Sequence, residues 1–351
     1  MPKWIYLPIL KWKQGERIAL SKLTPAQRSG LLPVLELPAI NSAHDGAALR
    51  SALPAYLAKV IKEMNNTFTG EQVVGVDSRW LAPGYSKQIA LLAMVCKSLS
   101  GKVACGIVPV ISETALMSNA ADISKFDDHG AYVLRLQTTS IEPLQIVPLV
   151  KLATDNGLKK RNLHLVIDQF AIVKEDSAAK HAAVVPYIDA ALAAQCSSVT
   201  VAGGSFPINL MGYKQGEFDI PRVEWRVWER LKADPAYKNL RFGDYTVTHP
   251  GPIPDDVDPT KMNPSVAIRY ARDRDWKLYK AGGFKKGAPN QYRGLCNLLI
   301  SDPTAYSGPA FSDGDDRYEK AAVGTIGNGN PSSWRRDATS HHLVFTADQL
   351  R

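Results

Sequence analysis

The sequence predicts an α/β fold: a (β/α)8 TIM-like barrel with a C-terminal hairpin and a polar cap segment. Eight short apolar runs rich in β-forming residues alternate with helical segments over about 250 residues, as in a closed barrel. The runs are almost continuously apolar, which is typical of parallel strands buried on both faces. No glycine-rich phosphate turn follows the first run, so an open doubly wound sheet is less favoured.

Each predicted element follows from its hydrophobic period. The eight predicted strands cover residues 4–10, 31–37, 72–77, 104–111, 131–136, 163–168, 198–202 and 240–246. Helical spacing predicts helices over residues 11–23, 47–64, 86–99, 119–126, 143–155, 178–195 and 222–233. Every predicted strand but the last is thus followed by a helix, which is the order that a parallel barrel requires.

The pattern changes at residue 250. Residues 1–250 form the predicted barrel core, and residues 251–351 form an appendage that completes the barrel or caps its mouth. A proline-rich linker at 250–254 leads to a predicted hairpin at 266–280 and a short helix at 291–300. The polar segment 311–343 is expected to cap the mouth, and a last short helix is expected from Thr346.

Composition and charge exclude some classes of protein. The 351 residues carry a formal charge of +8, which permits a polyanionic partner, but no concentrated basic stripe typical of nucleic-acid binders occurs. Four scattered cysteines favour reduced thiols over a disulfide framework. The charged start runs directly into a strand, and no apolar stretch is long enough for a membrane span. We therefore expect a cytoplasmic protein that does not enter a membrane.

Charged and polar side chains end several of the predicted strands. They are Lys11, Glu36, Asp77 with Arg79, Arg135, Asp168, and Asp244 with Tyr245. Because the carboxyl ends of barrel strands meet at one mouth, we expect these side chains to lie close together. An unpaired buried charge is costly, so they form a ligand site, a structural ion network, or both. After the seventh strand, Gly203-Gly204-Ser205 predicts either a phosphate-binding nest or a plain turn.

The residue types suggest separate roles. The candidate catalytic acid/base residues are Asp77, Asp168, Asp244, His341 and His342, and the candidate ligand-binding residues are Lys11, Glu36, Arg79, Arg135, Tyr245, Asp315, Trp334 and Arg335. Adjacent histidines point to different sides of a helix or strand and match no metal-ligand spacing, so no metal ligand is assigned. The cofactor stays open, with a divalent metal held by the three aspartates and one histidine as an alternative. A histidine could instead anchor its own segment by hydrogen bonds.

Both ends of the chain resemble a known family. The matching segments are Tyr6-Leu7-Pro8-Ile9-Leu10-Lys11 with Gly15-Glu16, Leu32-Pro33-Val34-Leu35-Glu36-Leu37-Pro38, Phe311-Ser312 with Gly314-Asp315, Gly329-Asn330 before Trp334-Arg335, and His341-His342-Leu343. These segments resemble those of the "beta" protein family, named for a satellite-phage protein and found through bacteria and mobile elements. The resemblance covers essentially the whole chain.

The resemblance implies a component of a phage-defence or toxin-immunity module. The satellite-phage member lies beside a toxic gene, and relatives often neighbour a small nuclease-like protein, so a protein partner from a neighbouring defence or toxin gene is expected. The barrel mouth would then recognise that partner or a phosphate-bearing ligand. One alternative is a metal-dependent phosphodiesterase or other hydrolase acting on nucleic acid or nucleotides. Another is a catalytically inactive barrel that serves as a scaffold.

Overall fold

A closed barrel of eight parallel strands forms the centre of the protein. The computed structural model describes residues 4–40, 46–70, 72–127, 129–252, 263–285 and 287–351. The barrel strands, in order around the barrel, are β1 (Tyr6–Lys11), β2 (Val34–Glu36), β3 (Val73–Asp77), β4 (Gly106–Ser112), β5 (Tyr132–Gln137), β6 (Leu163–Ala171), β7 (Ser198–Gly204) and β9 (Arg241–Asp244), with β9 pairing back to β1. The predicted TIM-like barrel is confirmed.

Side chains alternate between the inside and the outside of the barrel along each strand. In β1, Leu7 and Ile9 join the small apolar cluster that fills the barrel, whereas Tyr6 and Leu10 join the larger cluster between the strands and the helices. In β9 the same alternation sends Phe242 outward. This period of two decides which strand-end residues enter the mouth.

Helices surround the barrel. They are α1 (Gln14–Lys22), α2 (Pro25–Arg28), α3 (Gly46–Thr67), α4 (Gln88–Leu99), α5 (Glu113–Asn119), α6 (Ile146–Asp155), α7 (Ser177–Ala193) and α8 (Val223–Lys232), and the C-terminal part adds α9 (Gln291–Ile300), α10 (Asp313–Ala322) and α11 (Pro331–Gln349). Short 3-10 turns extend several of them, as at Ala120–Lys125 after α5. Within the described ranges, no helix is both long enough and apolar enough to cross a membrane.

The last helix, α11, takes the position of the eighth barrel helix. It packs against α1 and touches β1, and its Leu343, Val344 and Ala347 belong to the core between barrel and helices. On its other side Arg222, fully buried just before α8, donates to Thr346 at 3.1 Å and to Gln349 at 2.8 Å. The last βα unit is therefore closed by a helix that lies far from β9 in the sequence.

A three-stranded antiparallel sheet takes two of its strands from the long connection between β9 and α11. Its order is β10 (Ser265–Ala271), β11 (Asp275–Gly283) and β8 (Gly216–Pro221). The first two strands are the predicted hairpin, which is confirmed. The third, β8, was not predicted, and it comes from the connection between β7 and α8. The last two residues of the predicted 250–254 linker lie outside the described residues.

The segment 311–343 does not form a polar cap as expected. It folds into α10 and most of α11, and α11 continues through the separate short helix predicted after Thr346. Ser312 caps α10 by accepting from the Asp315 backbone, and Asn330 caps α11 with Pro331 in the first turn. The two helices cross closely, since a Cβ on Gly314 would lie 2.1 Å from the Asp337 carbonyl oxygen.

Candidate functional site

A single buried arginine, Arg135, lies at the centre of the barrel mouth. Its Nε donates to Asp168 Oδ2 at 2.9 Å, and its Nη1 donates to Glu36 Oε1 at 2.8 Å and to Asp77 Oδ2 at 2.9 Å. Its Nη2 donates to the hydroxyl of Tyr245. The Arg135 side chain is fully buried, as are the three carboxylates around it. A planar guanidinium can bind several carboxylates at once because its donors point outward in a fixed plane.

The neighbours of Arg135 are themselves fixed by further hydrogen bonds. Tyr245 donates to Asp168 Oδ2 at 2.6 Å, and the other Asp168 oxygen accepts from the Phe170 backbone at 2.9 Å. Asp77 accepts from both the backbone and the Nε of Arg79, at 2.9 and 2.8 Å. The mouth is thus a connected ion network rather than a set of separate charges.

Burial and charge together set the protonation of this network. Burial acts to lower the pKa of Arg135, but Tyr245 and the three carboxylates outweigh it and hold that pKa well above its usual value. Burial raises the pKa of Tyr245 well above its usual value, with Asp168 and Glu36 adding to the effect of burial and Arg135 opposing it. Arg135 therefore stays charged and Tyr245 stays protonated throughout the ordinary pH range.

Several polar atoms at the mouth lack a hydrogen-bond partner among the described residues. They are Arg79 Nη2, Gln137 Nε2 and Glu36 Oε2, and all three are buried. Glu113, which follows β4, lies near both Arg79 and Gln137. It accepts from the Gln137 backbone at 3.4 Å, and the charge of Arg79 acts to lower its pKa. Buried polar atoms without partners are rare in folded proteins, so these atoms mark a place where a ligand can bind.

Two groups at the mouth have pKa values shifted from their ordinary values. Lys11, whose Nζ donates to the Gly251 carbonyl, has its pKa lowered to about 8 by burial, with Arg335 and Lys13 adding to the lowering and Glu36 opposing it. Burial also raises the pKa of Glu113, against the charge of Arg79. Lys11 is therefore able to exchange protons near neutral pH, and Glu113 holds its proton to a higher pH than an exposed glutamate does.

Asp244 and His342 form a second buried cluster, outside the barrel wall. His342 Nε2 lies 2.7 Å from Asp244 Oδ2, and Tyr6 donates to Asp244 Oδ1 at 2.7 Å. Burial lowers the pKa of His342, which makes it neutral, with its Nε2–H donating to the carboxylate. Burial acts to raise the pKa of Asp244, but His342, Tyr6 and Arg222 outweigh it and lower that pKa.

His341 and Asp315 form a third cluster, between α10, α11 and β10. His341 Nδ1 lies 2.9 Å from Asp315 Oδ2, and its Nε2 lies 3.0 Å from the Ala271 carbonyl oxygen. Asp315 also accepts from Tyr270 and Ser312, each at 2.6 Å. Both side chains are fully buried and both ring nitrogens of His341 are engaged, so the cluster joins the C-terminal helices to the sheet.

The remaining two candidates, Trp334 and Arg335, lie at the start of α11. Trp334 stacks on Tyr292 with ring centroids 5.3 Å apart and donates to the Asn328 carbonyl at 2.8 Å, so it packs in the apolar core of the C-terminal part. The Arg335 side chain is 33% exposed, and its Nη1 lies 3.8 Å from Glu16. A Cβ on Gly15 would lie 2.8 Å from the Ser332 carbonyl oxygen, so the β1–α1 turn and the first turn of α11 are in close contact.

Comparison with known families gives a clear result. The sequence profile described as "Beta protein" matches residues 6–348, which is essentially the whole chain. The chain belongs to the beta protein family. A search of curated proteins finds no match to it. The beta protein segments at the two ends of the chain meet in space, because Gly15-Glu16 contacts Arg335 and Tyr6 bonds to the same Asp244 as His342.

The structure therefore divides the sequence-predicted site residues of this beta protein into groups. Those that meet at the mouth are Lys11, Glu36, Asp77, Arg79, Arg135, Asp168 and Tyr245. The expectation that Asp244, Asp315, His341 and His342 share that mouth is wrong. Asp244 points outward because it precedes the inward-facing Tyr245 by one residue, and the other three lie in helices on the barrel's side.

A divalent metal does not fit this arrangement. At the mouth, Glu36, Asp77 and Asp168 converge on the Arg135 guanidinium, which already supplies the positive charge that a cation would bring. Across the part of the chain that the structure describes, no group of three or more histidine, cysteine or acidic side chains has the geometry to hold a metal ion. We therefore derive no chemistry through a metal.

Sequence reasoning missed three polar residues of these clusters. Gln137 follows Arg135 by two residues on β5 and so shares its face, a relation that strand alternation could have shown. Glu113 directly follows the fourth strand, and no site residue was predicted at the end of that strand. Arg222 has no comparable signal, because its partners in α11 are more than a hundred residues away. Gly203-Gly204 ends β7 rather than forming a nest or turn, and Gly204 leaves room for Pro250.

Proposed function

We propose that this beta protein recognises a phosphate-bearing ligand at the barrel mouth, as a component of a phage-defence or toxin-immunity module. The observation that carries the first part is the pair of unpaired buried donors, Arg79 Nη2 and Gln137 Nε2. Donors of this kind bind oxygen atoms, and an arginine donor favours an anionic oxygen. Lys11 on β1 adds a third donor, a cationic one, at the same end of the barrel.

The Arg135 network gives this site a fixed frame. Four of the five N–H donors of Arg135 are taken by its carboxylate and tyrosine partners, so its main role is to orient the mouth rather than to bind the ligand directly. Asp77 holds Arg79 through two bonds and leaves Nη2 free to bind a ligand. A donor that is held in place before binding loses little freedom when the ligand arrives, which favours affinity.

Membership of the family supports the second part of the proposal. The relatives that lie beside toxic or nuclease-like genes suggest that a neighbouring gene supplies a protein partner. The test is to copurify the protein with the product of its neighbouring gene and to measure phage plating with each gene deleted. If the protein emerges alone, relieves no toxicity and leaves plating unchanged, the defence-module role is wrong while ligand binding at the mouth is still testable.

Hydrolysis of a phosphodiester is a second candidate function. It is favoured by the lowered pKa of Lys11, about 8, and the raised pKa of Glu113, because two groups with displaced protonation at one mouth can act as base and acid. The assay is release of p-nitrophenolate from bis(p-nitrophenyl) phosphate, with and without EDTA. Release that survives EDTA and is lost in Glu113→Gln supports hydrolysis. No release, together with phosphate binding, leaves a binding barrel without chemistry.

Arg79→Ala tests the phosphate proposal directly. Inorganic phosphate, a nucleotide and a phosphodiester would be titrated against the wild-type protein by calorimetry. We expect the affinity of the best ligand to fall at least about tenfold in Arg79→Ala, since a charge-assisted hydrogen bond is lost. Arg50→Ala, an exposed arginine on α3, is the matched control and should bind normally. Equal affinity in the Arg79 and Arg50 variants would remove the basis of the proposal.

A further inference from the structure

A cleft lies at the opposite end of the barrel from the mouth. It has a volume of about 1000 Å³. Trp4 and Arg241, near the starts of β1 and β9, line one side of it, and residues of α7 and α8 line the other. This volume lies at the upper end of the range for small-molecule sites. Because barrel enzymes work at the carboxyl ends of their strands, a cleft at the amino ends is separate from the mouth site.

Two buried donors in this cleft have no hydrogen-bond partner among the described residues. They are the indole Nε1 of Trp4 and the Nη1 of Arg241. The Trp4 side chain is only 5% exposed, and the Arg241 guanidinium lies 4.1 Å from the centroid of the Trp4 ring. The two donors therefore belong to one small area, and a buried guanidinium N–H without an acceptor is a costly arrangement unless an anion binds to it.

The charge around these donors is positive. Among the residues that line the cleft, the cations are Arg241, Lys232 and Lys238, and the one acid is Glu229. Glu229 lies 2.9 Å from Arg274, so its charge is already compensated outside the cleft. His164, which stacks edge-on against Trp4, contributes no negative charge, and burial lowers its pKa to about 4. The cleft thus favours an anion.

The rest of the lining is mixed, and one part of it is apolar. Trp225 and Trp228 of α8, Leu192 of α7, Leu240 and Leu350 contribute carbon surface to its walls. Lys232 lies over the ring of Trp228 at 5.4 Å, with its amine bonded to the Lys238 carbonyl. A bare inorganic anion would leave this apolar surface in contact with water, whereas an apolar group attached to the anion would cover it.

We infer that this cleft binds an anionic group, such as a carboxylate, that is carried on an apolar body. The anion accepts from Arg241 Nη1 and Trp4 Nε1, and the apolar body packs against the tryptophan and leucine side chains. The same chemistry occurs in a free apolar acid and in the C-terminal residue of a protein chain. The site does not depend on the proposed phosphate site at the mouth.

Three small probes test separately whether binding needs the negative charge and whether it needs the apolar body. Octanoate has both the charge and the apolar body, acetate has only the charge, and octanol has only the apolar body. Binding to the full chain would be measured by calorimetry and by tryptophan fluorescence, since three of the seven tryptophans line the cleft. We expect octanoate to bind at least about tenfold more tightly than either acetate or octanol. A short acetylated peptide ending in leucine, with its C-terminus free or amidated, identifies a protein C-terminus as the source.

Arg241→Gln and Trp4→Phe test the two donors, with Arg50→Gln as the control for charge. We expect octanoate affinity to fall at least about tenfold in Arg241→Gln, to fall less in Trp4→Phe, and to stay unchanged in Arg50→Gln. Thermal unfolding verifies that each variant is folded, and Trp4→Phe keeps the aromatic packing if Arg241→Gln does not fold. The inference is overturned if octanoate and the free-acid peptide both fail to bind. It is also overturned if octanoate binds the folded Arg241 and Trp4 variants as tightly as the wild type.

Discussion

The mouth network around Arg135 and the His341 cluster are both fully buried polar networks, but only the His341 cluster is complete. Both ring nitrogens of His341 are engaged, and Asp315 accepts from three side chains. At the mouth, Arg79 and Gln137 each keep a buried donor without a partner among the described residues. A complete network stabilises the fold, whereas an incomplete one is a place for a ligand.

This difference separates two kinds of family residue that look alike in the sequence. The paired histidines and the Phe311-Ser312-x-Gly314-Asp315 segment attract attention as chemistry, yet their side chains tie α10 and α11 to the rest of the molecule. Glu36 and Arg135 stand in ordinary apolar strands and yet define the mouth.

The largest effect is expected from Arg135→Met. Once the guanidinium is removed, the carboxylates of Glu36, Asp77 and Asp168 face one another in a buried site. We expect the free energy of unfolding at neutral pH to fall by about 3–5 kcal/mol. The deficit should shrink at acidic pH, where protonation relieves the repulsion. Urea unfolding at both pH values measures it. Adding Asp168→Asn to the variant should recover part of the lost unfolding free energy. A loss of unfolding free energy that does not depend on pH would contradict the ion-network account.

His341→Ala should be the next most damaging change. It removes the partner of Asp315 and of the Ala271 carbonyl in a fully buried place, which we expect to cost about 3 kcal/mol. Urea unfolding measures the loss, and His181→Ala, on α7, is the matched control with an expected loss below about 1 kcal/mol. Ligand binding at the mouth should survive wherever the His341 variant is folded. A stable variant that had lost phosphate binding would instead place His341 in the ligand site.

A smaller effect concerns the pH dependence of phosphate binding. Because burial lowers the pKa of Lys11 to about 8, this group is charged below that pH and neutral above it. Affinity for a phosphodiester, whose own charge stays constant, should therefore fall about three- to tenfold as the pH rises from 7 to 9. Calorimetry at both pH values measures the change. Lys11→Met should bind more weakly at pH 7 and lose this dependence, and an unchanged pH profile would show that Lys11 does not contact the ligand.

The smallest effect on stability is expected from Arg335→Ala. The side chain is one-third exposed and its contact with Glu16 is long, at 3.8 Å, so we expect less than about 1 kcal/mol of lost unfolding free energy. Arg335 is close enough to Lys11 for its charge to lower the pKa of that lysine, so the variant loses a cation near the mouth, and phosphate affinity should fall more than stability does. Urea denaturation measures the loss of unfolding free energy, and calorimetry on the same variant measures the loss of phosphate affinity. Unfolding of this variant would show that Arg335 is part of the structural contact between α1 and α11.

The local order of the chain could be predicted from the sequence, and so could part of the mouth. Apolar runs identify the eight strands, because parallel strands buried on both faces need continuous apolar side chains. Strand-end position identifies Glu36, Asp77, Arg135 and Asp168, because all barrel strands end at one mouth. Ser312-x-x-Asp315 also matches a helix-capping sequence, although the prediction for this segment was a polar cap over the mouth.

The face on which each side chain lies, and the neighbour that it meets, depend on the tertiary structure. A one-residue difference in a strand sends Tyr245 into the barrel and Asp244 out of it, and no composition rule fixes that register. The bonds from His342 to Asp244 and from Arg222 to Gln349 join residues that are 98 and 127 positions apart. Such contacts depend on how α11 packs against the barrel, because a hydrogen bond is determined by distance in space and not by distance along the chain.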